Sequence, residues 1–113
     1  MPPRIIKRHD TKVTPRARFL DEEGDAINLT GCTITYSLRE VLTLVLKVNR
    51  ATANLEDQLL NTGQAFYQFA ALDVDTVGIY VEQWEIVYPS MLKETFPVGV
   101  EQYVHIEEDI DNM

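Results

Sequence analysis

The chain is poor in the residues most small-protein chemistry relies on. One cysteine, Cys32, stands in 113 residues. An intrachain disulfide is therefore excluded, and such cysteine usage fits a protein made in a reducing cytosol. The two histidines, His9 and His105, sit in no paired metal-ligand spacing. The two serines, Ser37 and Ser90, have no GxSxG context, and the five glycines form no phosphate-binding loop. No apolar run approaches the roughly 20 residues that cross a bilayer, and the start "MPPRIIKRHDTK" holds no apolar core of a secretory signal. These absences point away from an enzyme, a membrane protein and a metal or cofactor site.

Charge is abundant but segregated. Residues 1–18 carry six bases against Asp10, a net of +5, whereas residues 19–113 carry four bases and seventeen acids, a net of −13. The sequence thus predicts a basic N-terminal arm (1–8), one acidic domain (9–107) and an acidic tail (108–113). Such asymmetry bears on partners, not on fold. The acidic body, and the lack of aromatics among the bases of 1–18, argue against nucleic acid. Protein contacts fit better. Arg4, Lys7 and Arg8 at one end, and Glu107, Glu108 and Asp109 at the other, are expected as self-complementary interface residues that join copies head to tail.

The hydrophobic pattern has period two. Cys32, Ile34, Tyr36 and Leu38 share one face, and Thr33, Thr35, Ser37 and Arg39 the other, which marks a half-buried strand. "IYVEQWEIVY" repeats the pattern with Tyr80, Trp84, Ile86 and Tyr88 inward. Glu82 falls on the same face, the one discordant residue, and needs Arg39 or another base. "VTPRARFL", "VLTLVLKV", "QAFYQFA" and "YVHI" are further strand segments, the first marked as an edge by Pro15. Phe66 points away from the face of Tyr67 and Phe69, as an isolated exposed aromatic or an interface residue. "YPSMLKETFPVG" reads as a turn and a break. About seven short strands at intervals near ten residues predict an all-β, immunoglobulin-like antiparallel sandwich.

The acidic stretch "DEEGD" (Asp21–Asp25) lacks the twelve-residue spacing and closing glutamate of a calcium loop, so a solvated hairpin tip around Gly24 is expected; "DVDTVG" reads likewise as a turn. In "DTVGIY", Gly78 two residues before Tyr80 is the local arrangement of a tyrosine corner, with the Tyr80 hydroxyl bonded back to nearby backbone. Cys32 reads as a small buried hydrophobe.

Taken in order, Asp10-Thr11, the Asp21–Gly24 turn, Asn28-Leu29-Thr30-Gly31, the Tyr67/Phe69 strand, Asp75–Tyr80 and Glu94–Pro97 resemble the immunoglobulin-like N-terminal domain of the phage baseplate upper protein family, over roughly residues 9–107. Two departures are Asn28 in place of the usual Asp and Glu82 in place of a small residue. The resemblance implies a structural component of a tailed-phage virion, at the tail, baseplate or neck, that docks in multiple copies on other virion proteins or on itself, without a cofactor. A head decoration protein and a host-surface or carbohydrate-binding module are the alternatives. In this reading Gly24, Gly31, Gly78, Tyr80 and Trp84 serve the fold.

Overall fold

A computed structural model describes residues 2–97 and 101–108. The chain folds as an all-β sandwich of two sheets. The described residues contain no helix long and apolar enough to cross a membrane. The larger sheet takes the order β1 (Arg4–Lys7), β9 (Gln102–Glu107), β7 (Gly78–Val87), β3 (Thr33–Glu40), β4 (Leu46–Thr52). A short strand, β8 (Lys93–Phe96), pairs with the second half of β7, beyond the part that β9 covers. The smaller sheet is β2 (Arg16–Arg18), β6 (Gln64–Phe66), β5 (Asn54–Leu55). This arrangement, with β3, β7 and β9 facing β2, β6 and β5, is that of immunoglobulin-like sandwiches.

The period-two residues build the core. Ile34, Tyr36 and Leu38 of β3 and Tyr80, Trp84 and Ile86 of β7 are buried, because the pleat turns alternate residues to one face. Tyr36 is stacked on Tyr67 (ring centroids 4.8 Å apart) and meets Trp84 edge-on at 4.8 Å. Phe19 packs on Trp84 and Phe96. The Tyr80 hydroxyl donates to the Thr76 carbonyl at 2.8 Å, so the corner forms as the sequence indicates. Gly31 has φ +80°, a left-handed conformation that disfavours a side chain.

Several expectations are corrected. Nine strands are described in place of about seven, and the sheets are not purely antiparallel, because β1 pairs with β9 in parallel. Within the expected arm 1–8, Arg4–Lys7 is not outside the sandwich but an edge strand whose Ile6 enters the core at 1% exposure. Val41–Val45 is not strand. It forms the β3–β4 turn, closed by Glu40 N–H donating to the Val45 carbonyl, and β4 begins at Leu46. Between the turn expected at Pro89-Ser90 and the break expected at 97–99 lies β8, which was not expected and whose alternating pattern is hidden because its first three residues are all exposed. Cys32 is only half-buried.

Candidate functional site

The most constructed polar site in the molecule centres on Glu82. Period two forces it inward from β7, where it is 1% exposed. Its carboxylate accepts from Arg4 Nε (3.2 and 3.1 Å) and Nη2 (3.1 Å), from the Tyr36 hydroxyl (2.8 Å) and from Trp84 Nε1 (3.2 Å). Arg4 Nη2 also donates to the Arg16 carbonyl at 2.8 Å, tying the edge of one sheet to the other. Burial, and then the neighbouring Glu82 carboxylate, push the Tyr36 phenol well up, so Tyr36 stays a donor. Each of these donors points at the carboxylate, so its oxygens are engaged as acceptors within the core. Arg39 cannot be its partner. On β3 it lies opposite Val81, and so on the other face of the sheet.

A cleft of about 220 Å³ opens beside this cluster. Arg4, Arg18, Phe19, Trp84 and Phe96 line it. Glu82 contributes to its wall, but its oxygens are already bonded inward.

The charged ends meet within one chain. Lys7 Nζ lies 3.1 Å from Glu107, and Arg8 Nη2 lies 2.6 Å from Glu108. These four residues, expected to join copies, therefore close the β1–β9 edge in cis, and Arg4 does so through Glu82. Asp109 lies outside the described residues. Phe66 is half-buried with the Arg16 guanidinium 5.1 Å above its ring, so it is not an isolated exposed aromatic. Arg16 also forms an ion pair with Glu56.

The acidic turn is a solvated tip. One Asp21 carboxylate oxygen accepts the backbone N–H groups of Glu23 and Asp25, each at 2.9 Å, and Gly24 supplies the left-handed residue at φ +87°. The carboxylates of Asp21, Glu23 and Asp25 lie within 4.8 Å of one another and all are exposed. Burial raises the Cys32 thiol, which disfavours a reactive thiolate. Gly78 has an ordinary φ, and a Cβ there would make ordinary contact, 3.4 Å from the Tyr80 ring, so neither backbone nor space requires glycine at this position.

The sequence reading missed an exposed apolar turn, one of several exposed apolar segments that also include Leu59-Leu60. In the turn "VLTLVL", Leu42 is 90%, Leu44 61% and Val45 60% exposed, with Leu46 continuing the patch. Leu44 holds φ +63°, a conformation that costs a non-glycine residue about 1–2 kcal/mol. Three of the four bases in residues 19–113, Arg39, Lys47 and Arg50, flank this turn. Lys47 forms an ion pair with Asp75, which lowers the Asp75 carboxyl below its usual range. The sequence holds there a six-residue stretch of apolar residues and one threonine, bounded by charge, which reads equally as a buried strand.

No family model matches the chain, and no curated protein matches it.

Proposed function

We propose that the protein is a structural component of a tailed-phage particle that works by docking, in multiple copies, through the β3–β4 hairpin. The observation that carries this reading is the hairpin tip. Large contiguous apolar patches are rare on surfaces that meet only water, and this one is presented on a sandwich and flanked in sequence by Arg39, Lys47 and Arg50 in an otherwise acidic body. It fits an apolar, acid-rimmed surface on another virion protein. The ordered resemblance from Asp10 to Pro97 supports the tailed-phage setting, and the residues that carry it serve turns and core: Asp21 caps its turn, Gly31 is left-handed and Tyr80 makes the corner.

A carbohydrate platform would need an exposed aromatic surface, and Trp84 is 2% exposed. The test is light scattering of the purified protein with disrupted particles of the phage that encodes it, at low and high salt. Binding that weakens with salt and is lost in Leu42→Glu supports hairpin docking. A monomer that ignores particles at every salt concentration refutes it.

A further inference from the structure

The N-terminal strand is held by contacts that would recognise it whichever chain supplied it. Its acceptor is the edge of β9, with the register Arg4 to Val104 through Lys7 to Glu107. Ile6 fills a core position. Arg4 reaches the buried Glu82, Lys7 meets Glu107 and Arg8 meets Glu108. The acceptor edge is acidic and the strand is basic, so the pairing carries its own charge code.

The connection that folds this strand back onto its own chain is strained. Immediately after β1 the chain turns, with Arg8 N–H donating to the Glu107 carbonyl, His9 N–H to the Val74 carbonyl and Asp10 N–H to the Lys7 carbonyl. His9 adopts φ +68°, and Arg8 Nε is buried without a partner among the described residues. Eight residues, 8–15, then lead to β2. Straightening this connection releases His9 from the left-handed conformation, against the loss of the His9-to-Val74 bond. All the β1 contacts can be remade on a neighbouring copy. Strained hinges next to terminal elements favour such exchange.

We infer that β1 is exchanged between copies: two chains each lay their Arg4–Lys7 strand on the β9 edge of the other. This rests on the proposed multi-copy docking for its setting only, since exchange between copies can fail while docking to other virion proteins stands.

The test uses two full-length variants altered at the two ion pairs of this edge. One is Lys7→Glu with Arg8→Glu; the other is Glu107→Lys with Glu108→Lys. Each alone places like charges side by side in its monomer and in its own dimer. Only an exchanged pair with one chain of each restores every pairing. The two are mixed in urea, refolded together by dilution and weighed by native mass spectrometry. The expected product holds one chain of each kind, with the ratio of mixed to like dimers roughly ten times its statistical value. Monomers only, or mixed dimers at the statistical proportion, would overturn the inference.

His9 gives an independent arm. His9→Gly accepts φ +68° freely and should move the wild-type equilibrium toward monomer. His9→Pro holds φ near −65° and should move it toward dimer. A folded His9→Pro protein that stays monomeric where the wild type dimerises also overturns the exchange.

Discussion

Arg4→Met is the sharpest test of how the sandwich closes. Methionine keeps most of the apolar stem and removes both guanidinium donors to Glu82. The carboxylate is 1% exposed and would keep only the Tyr36 hydroxyl and Trp84 Nε1. Breaking a buried pair by removing one partner costs about 3–5 kcal/mol. Arg4 is partly exposed at the mouth of the cleft, where water can solvate the orphaned carboxylate, so the lower end, about 3 kcal/mol, is expected. That is a large share of the roughly 5–15 kcal/mol that holds a domain together, and for a chain of this length it lowers Tm by roughly 12 °C.

Glu82→Gln keeps an acceptor for Tyr36 and Trp84 and leaves Arg4 partly solvated, so it should cost about 1.5 kcal/mol. The double variant should cost about 2 kcal/mol, far less than the sum of the two, because the buried charge is gone when its partner goes. Urea unfolding followed by the fluorescence of Trp84, the single tryptophan, measures all four proteins. An Arg4→Met cost below about 1 kcal/mol, or a double variant additive within about 0.5 kcal/mol, would refute the claim that β1 is fastened through Glu82.

Tyr80→Phe removes the hydroxyl that bonds the Thr76 carbonyl and should cost about 1 kcal/mol in the same unfolding assay. Gly63→Ala and Gly24→Ala separate strain from collision. Both glycines are left-handed, but a Cβ at Gly63 would stand 2.9 Å from the Phe19 carbonyl, whereas Gly24 faces open space. Gly24→Ala should cost about 1 kcal/mol and Gly63→Ala at least twice that. Burial, and then Glu94, push the Tyr88 phenol up to about 12, and burial, then Asp73, push Tyr67 higher still. The unfolded chain releases these protons near pH 10 and the folded chain only above it. Their contribution is therefore whole below pH 10 and is lost as pH rises through the folded values, so urea midpoints should fall steadily above pH 10. Tyrosinate absorbance of the folded protein should rise later than that of the protein in guanidinium. Leu42→Glu should leave the urea midpoint within about 0.5 kcal/mol of wild type, since this residue covers nothing, and should abolish binding to particles.

The parts of the fold that were legible in sequence are those whose signal is local. β3 and β7 alternate over eight and ten residues, so the inward positions of Tyr36, Tyr80 and Trp84 could be counted off directly. The tyrosine corner was legible because Gly78 and Tyr80 stand together. β1 was not, because a four-residue strand with one core side chain leaves no period to detect. β8 was hidden in the same way, with only Phe96 turned inward. The hairpin tip failed for the opposite reason. Its apolar residues imitate a buried strand, and only the absence of an opposing element shows that they are surface.

Glu82 joins the two kinds of information. As an inward carboxylate on an otherwise apolar face it announced a base, because a buried charge persists only with a partner. Pleat geometry excludes Arg39, whose side chain belongs to the opposite face of the neighbouring strand. The partner had to come from an element able to reach the core face at that end of β7, and Arg4 sits 78 residues away in sequence. Its pairing with Arg4 is one of three that engage the bases of the N-terminal strand. Arg4, Lys7 and Arg8 each meet an acid of β7 or the β9 end, so what reads in sequence as a free basic arm is the charge complement of one edge of the sandwich. On the docking reading proposed above, the surface left for a partner lies elsewhere, on the β3–β4 hairpin. There the exposed leucines and valines stand close in sequence to Arg39 and Arg50, so that apolar contact and charge would select the same partner surface.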